Sequence, residues 1–112
     1  MDIDLFSALL CCTWGDKGAS ILQNRPGAEG EWAHVHSWSP ESEAPQVVDT
    51  IGAGDTFIAG MLYALARHEN DWSLQSKLNF ANEIAGRKVY QVGFSGLGTL
   101  MRPVINHPLA AT

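Results

Sequence analysis

The sequence predicts an α/β fold in which a sheet is sandwiched between helices, and three observations predict it. Residues 8–14 are a continuous apolar run of the length that suits a strand buried on both faces. Residues 32–38 alternate with the two-residue period of a strand. Residues 54–67 and 73–91 are long apolar or amphipathic stretches with helical spacing. With 112 residues there is room for one domain with a modest core. A composition that is 46% hydrophobic and only 17% charged is that of a globular chain, not a disordered one.

In chain order, Ala8-Leu9-Leu10-Cys11-Cys12-Thr13-Trp14 is the first strand, ended by Gly15-Asp16-Lys17-Gly18. Gly15 and Gly18 make a tight turn into a second strand over 19–23. Pro26 and two glycines mark 24–30 as a hairpin loop, and 32–38 returns as the third strand. Pro40 and Pro45 make 39–46 an exposed connector, and Val47-Val48 a short strand or an extended approach to residues 49–57. The first helix, from about Gly54 to Arg67, is apolar on nearly every face and is expected to be buried. Gly60 within it costs about 1 kcal/mol against Ala, which points to a neighbouring backbone packed close by. Residues 68–71 are a polar break, after which Asp71 or Ser73 can cap the second helix. That helix carries Leu74, Leu78, Ala81, Ala85 and Lys88/Val89 on one stripe, and Gly93 is expected to close it. Gly96, Gly98, Pro103 and Pro108 mark residues 99–112 as loop or tail.

Bulk properties exclude some functions. The net charge is −5 with no Lys/Arg cluster, which argues against a nucleic-acid partner. No apolar stretch reaches the roughly 20 residues that span a bilayer, so no membrane role is expected. Cys11 and Cys12 are neighbours and point to opposite faces of a strand, so they cannot staple distant segments. They read as buried thiols in a reducing compartment, and the acidic Met1-Asp2-Ile3-Asp4 is unlike a basic signal peptide; both favour a cytoplasmic location.

The most telling stretch is Asp49-Thr50-Ile51-Gly52-Ala53-Gly54-Asp55-Thr56-Phe57. Small residues let a backbone approach a ligand, and the helix after them offers free N–H groups and the positive end of its dipole to an anion. A carboxylate in the first turn, Asp55, is placed to accept a proton from a hydroxyl attacking a phosphate. The same residues also fit a plain glycine corner with a capping Asp. The lysine of a Walker loop is absent, so this is not a P-loop. His34 and His36 lie on one strand face, as a metal pair would, but no third ligand is near, and Trp32 and Trp38 make an aromatic strand surface the better reading. His68, near the end of the first helix, is where a cation is favoured.

Residues 49–62, Asp-Thr-Ile-Gly-Ala-Gly-Asp-Thr-Phe-Ile-Ala-Gly-Met-Leu, closely resemble the C-terminal signature of the ribokinase-like (PfkB) carbohydrate kinases. Residues 12–19, 47–50, 80–88 and 93–96 match further family segments in the expected order, and the likeness covers residues 5–98. Within the family the chain is most similar to the ketohexose-phosphorylating branch. The resemblance implies the C-terminal part of a three-layer α/β/α fold with an incomplete central sheet, one partial domain over residues 1–112.

It also implies an ATP-dependent transfer to a sugar hydroxyl, with ATP and Mg2+ as cofactors and a small sugar such as fructose as acceptor. Asp55 is then the catalytic base, and the amides of Gly52, Ala53 and Gly54 are the anion hole for the transferred phosphoryl group. Trp14, Gly15 and Gly18 fall at the nucleotide-binding turn, with Val47 against the adenine and Asn82, Ala85 and Gly86 completing its pocket. Read alone, that turn is an ordinary hairpin and Asn82 a solvated helix residue. Some family members hold a monovalent cation such as K+ where Asp49 and the Ile51 carbonyl stand, although Asp49 fits loop capping equally. The family often pairs through lid strands, which implies a homodimer for the full-length form.

The sugar-binding residues, the lid strands and the Asn-x-x-x-Glu motif of the family have no counterpart here. The expectation is therefore a truncated kinase with little turnover by itself. Two alternatives stand beside it: a non-catalytic nucleotide-binding fragment, marked by ATP binding without turnover, and an interaction piece, marked by indifference to Asp55→Asn.

Overall fold

The computed structural model describes residues 8–24, 27, 29–40 and 46–106. The acidic N-terminus, parts of the 24–30 loop and the 39–46 connector, and residues 107–112 lie outside them. Three strands, β1 (Ala8–Thr13), β2 (Ala19–Asn24) and β3 (Glu31–Val35), form an antiparallel sheet in that order. Three helices come after them: α1 (Ala53–Arg67), α2 (Leu74–Val89) and α3 (Leu97–Asn106). This is an α/β unit in which helices cover one face of the sheet.

The strand register explains which side chains reach the core. Cys11, Ile21 and Ala33 are paired across the sheet, as are Thr13, Ala19 and Val35, so these rows share one face. Ala19, Ile21 and Ala33 on that face are buried against Phe57 and Met61 of α1 and Leu74, Leu78 and Ala81 of α2. The opposite face carries the row Leu10, Leu22 and Trp32, of which Leu10 is 62% and Trp32 72% exposed. The turn between β1 and β2 is a 3-10 turn at Gly15–Lys17, with Gly15 and Gly18 both at positive φ as that tight reversal demands.

Helix α1 packs on α2 through Gly60. A Cβ at that position would lie 3.1 Å from the Ala81 Cα and 2.8 Å from the Ile84 Cγ2, so the missing side chain is what lets the two backbones approach. At the start of α2, Ser73 is the cap expected from the sequence: its Oγ accepts from the Ser76 N–H at 3.0 Å. The link between the helices is closed by the His68 ring stacked on Trp72 at 3.9 Å and by the buried Lys77, whose Nζ donates to the Glu69 carbonyl.

Several expectations need correction. Cys11 and Cys12 are both exposed, because β1 is the edge of the sheet and its strand is not buried on both faces. Burial of the rest of its surroundings still raises the Cys11 thiol pKa. Helix α1 is buried along one stripe only, since Ile58 and Leu62 stay 57% and 60% exposed. Val47 and Val48 form no strand; the Val48 and Asp49 N–H groups instead donate to the Val89 carbonyl at 2.7 and 3.0 Å, satisfying an orphan acceptor at the end of α2. Gly93 does not close α2, which is capped at Tyr90.

The largest correction is α3, where a loop or tail was expected. Leu97, Met101, Val104 and Ile105 fall at helical spacing; Leu97 is buried, and Met101, Val104 and Ile105 pack with Ala64, Trp72 and Phe80 as a second small core. Pro103 forfeits one helical hydrogen bond. Burial of this stripe outweighs that loss and the weak helix propensity of the glycines.

Two outcomes are expected from this packing. Gly60→Ala should destabilise the fold in denaturant titration. Overpacking against Ala81 costs about 1–3 kcal/mol, which exceeds the gain of about 1 kcal/mol in helix propensity. The second concerns acid. Asp71 accepts a hydrogen bond from His68 Nδ1 at 3.0 Å, and this contact holds its carboxyl below the usual 3.8. A depressed folded pKa stabilises above the unfolded value and is lost as pH falls through the folded one. Native chain should therefore lose more stability between about pH 5 and about pH 2 than Asp71→Asn, read as the shift in denaturation midpoint.

Candidate functional site

The corner between residue 49 and α1 is built by its own side chains. Asp49 Oδ1 accepts from the Ile51 N–H at 3.0 Å, which folds the chain back on itself. Gly52 then takes a left-handed conformation, φ +81°, that only glycine adopts without strain, and acts as the N-cap of α1. Thr56 returns both its N–H and its Oγ1 to the Gly52 carbonyl, at 2.9 and 2.7 Å. The phenyl ring of Phe94, from the loop after α2, lies directly over Gly52, where a Cβ would meet it at 2.7 Å.

Helix α1 starts at Ala53, so the amides of its first turn have no intrahelical acceptor. Of the three amides expected in an anion hole, that of Ala53 donates to the Thr50 carbonyl at 3.3 Å, so it is partly engaged in the turn. Asp55 stands in the same first turn and is exposed.

On one side of this helix end lies a cleft of about 410 Å³. Gly15 and Gly18 of the β1–β2 turn, Val47, and Ala53 and Gly54 of the corner meet Asn82, Ala85 and Gly86 of α2 around it. These residues are scattered over more than seventy positions of sequence, and the fold brings them to one space. The volume is within the usual range for small-molecule sites, about 300–1,000 Å³. Trp14 is half exposed and does not line the cleft, so it is not brought together with the others. Gly52 lies behind the wall, under Phe94.

Asn82 is not a solvated residue. Its Nδ2 donates to the His36 carbonyl at 2.9 Å and fastens the end of the third strand segment to α2. Trp38 was missed as a cleft residue. It turns away from the strand face shared by His34 and His36 and packs on Gly86, where a Cβ would lie 2.8 Å from its own Cβ. The Arg87 guanidinium sits 4.6 Å from its ring centroid and Tyr90 contacts it edge-on. A glycine facing a tryptophan forty-eight positions away leaves no signal in sequence. His34 bonds Ser20 Oγ at 2.7 Å, and among the described residues no group of three His, Cys, Asp or Glu is placed to hold a metal.

A second cavity, about 440 Å³, opens on the other side of α1. Asp55 and Thr56 line its mouth, and Gly60, Phe80, Phe94 and Met101 make it largely apolar. The first turn of α1 therefore borders two spaces, with Ala53 and Gly54 on one side and Asp55 on the other.

Asp49 is committed as well. Its Oδ2 lies 3.1 Å from Lys88 Nζ, and the same ammonium lies 3.3 Å from the Asp49 carbonyl. The Ile51 N–H first, and then the Lys88 contact, hold the Asp49 carboxyl below its usual pKa.

The profile of the pfkB family carbohydrate kinases matches residues 6–97. The chain is 38% identical over 90 residues to ketohexokinase of Mus musculus, covering 80% of this chain and 26% of that protein. It is 40% identical over 74 residues to 1-phosphofructokinase of Vibrio cholerae, covering 64% and 22%. With fructokinase of Rhizobium leguminosarum it shares 41% over 58 residues, covering 50% and 18%. The chain thus spans about a quarter or less of the curated relatives it matches.

The corner is open to a direct check. Gly52→Ala should destabilise the chain by about 1–2 kcal/mol in chemical denaturation, because a Cβ at that φ is strained and displaces Phe94.

Proposed function

The chain belongs to the pfkB family of carbohydrate kinases, and on that premise we propose that its cleft and corner hold ATP for phosphoryl transfer to a sugar hydroxyl, a ketohexose such as fructose. One observation carries the reading: a single cleft is lined by Val47, Asn82, Ala85 and Gly86 together with Ala53 and Gly54, where α1 begins. The first group suits a flat apolar ring, and the helix start suits the terminal phosphates. A 1-phosphofructokinase, a fructokinase and a ketohexokinase among the relatives support a ketose or its phosphate as acceptor.

In this reading the base occupies one end of the cleft and the triphosphate runs to the corner. The Gly54 amide, at the positive end of the α1 dipole, faces the charge that develops on the transferred group, while the Ala53 amide is partly engaged by Thr50 and Gly52 lies under Phe94. Asp55 orients the acceptor hydroxyl and takes its proton from the far side of the helix end. The helix terminus favours its ionised form, as a base requires. ATP arrives at such sites as its Mg2+ complex, the metal neutralising phosphate charge. The described residues offer no three-ligand cluster for that ion, so no step is assigned to a protein-held metal. Cytoplasmic placement and a homodimer of the full-length form belong to the same reading.

The Asp55 side favours a second reading, in which the chain holds nucleotide without transferring phosphate. The cavity there is lined mainly by Ala59, Phe80, Ile84 and Met101, and a polyol needs several directed polar partners. The chain alone is therefore expected to form little sugar phosphate.

Calorimetry with ATP and Mg2+ tests the reading. Binding is expected, and Gly86→Leu, which drives a side chain into Trp38 and the cleft, should weaken it at least about tenfold, a loss of roughly 1.4 kcal/mol. No heat from native chain at millimolar nucleotide would remove the proposal. Asp55→Asn then separates the two readings in a chimera carrying an acceptor half: it slows transfer if the chain is catalytic and changes nothing if it only holds nucleotide.

A further inference from the structure

The family resemblance places a monovalent cation at Asp49 and the Ile51 carbonyl, and the residues present do not fit one. The Asp49 carboxylate and carbonyl are already held by the Lys88 ammonium, at 3.1 and 3.3 Å. Lys88 is only 1% exposed although it ends in a charge, and the Phe94 ring closes over it, 5.2 Å from Nζ to the ring centroid. The neighbouring loop oxygens are also taken: Gln91 Nε2 donates to the Gly93 carbonyl at 3.1 Å and to the Ser95 carbonyl at 2.9 Å. A K+ ion needs several such oxygens at once. Here an ammonium and an amide use them, and among the described buried side chains no polar atom is left without a partner.

We propose that Lys88 is a built-in cation: its ammonium supplies the fixed positive charge beneath the Asp49–Gly52 corner that a bound monovalent ion would otherwise supply, and the site works without K+. The position suits this role. Lys88 lies in the last turn of α2, the negative end of that helix dipole, and bonds the residue three places before the N-cap of α1. It does not itself line the cleft, so it acts as a positioning residue through the corner. An ammonium and K+ are close in size and charge, but the ammonium donates hydrogen bonds where K+ accepts electron pairs. Here the Asp49 oxygens on which a bound ion would draw are hydrogen-bonded to the ammonium, whose like charge repels a second cation.

The role in nucleotide binding rests on the proposed kinase reading; the cation replacement does not, and thermal melting needs no nucleotide. Native chain should melt at the same temperature in KCl, NaCl and choline chloride of equal ionic strength, and 205Tl+, an NMR probe for K+ sites, should show no saturable binding. Lys88→Gln should melt at least about 5 °C lower in choline chloride, with part of that loss restored by KCl and not by choline. A K+-specific rise in the native melting temperature, or saturable Tl+ binding to native chain, would overturn the proposal. So would a Lys88→Gln chain that melts as native does, or one that ignores K+. If that variant does not fold, the native-chain measurements still decide. Where native chain shows no K+ response and yet no ATP binding, the cation replacement stands and the kinase reading falls.

Discussion

The contact between Lys88 and Asp49 is the constraint on which the rest of the site depends. A buried ammonium is costly unless it is paired and hydrogen-bonded, and Lys88 finds both in one residue, through the Asp49 carboxylate and carbonyl. The Val48 and Asp49 N–H groups bond the Val89 carbonyl beside it. Four hydrogen bonds thus tie the chain before α1 to the last turn of α2. Because α1 begins only four residues after Asp49, that tie fixes where its N-terminus stands relative to α2. The cleft is the space between them, so its shape is inherited from the anchor.

Close packing of α1 on α2 at Gly60 completes the arrangement. Toward the N-terminus of α1, Phe57 and Gly54 border the cleft. On the other side α3 contributes Gly98, Met101 and Ile105 to the second cavity. One helix end thereby touches two spaces with different chemistry, backbone donors in one and a carboxylate in the other. That separation is what the proposed transfer from a donor to an acceptor would use.

The sheet is less enclosed than the helices. Its outer face leaves Leu10 and Trp32 largely exposed, β1 has a free edge, and Ile58 and Leu62 of α1 are uncovered. An antiparallel sheet tolerates one wet face, but these residues are apolar where such a face is usually polar. No helix among the described residues is long and apolar enough to cross a membrane, so these surfaces are not part of a helical span. The relatives it matches are about four or more times as long as the segment that aligns with them.

By itself the sequence determined the elements whose signals are local. A continuous apolar run marked the first strand and period-two alternation the third, glycines marked the β1–β2 turn, Asp71 or Ser73 marked the start of α2, and the stripe from Leu74 to Val89 marked its buried face. The corner at Gly52 and the carboxylate of Asp55 were legible for the same reason, since a glycine cap and an acid in the first turn are short-range patterns. Tertiary structure decided the rest. Only packing made a helix of residues 97–106, because burial of Leu97 and Met101 overrides Pro103 and the glycines. Only the fold showed that β1 is an edge, that Trp38 meets Gly86, and that the oxygens of Asp49 belong to Lys88 thirty-nine positions away. A pattern of neighbours can state what a residue is able to do; which distant group claims it is settled by three-dimensional proximity, and no local periodicity encodes that.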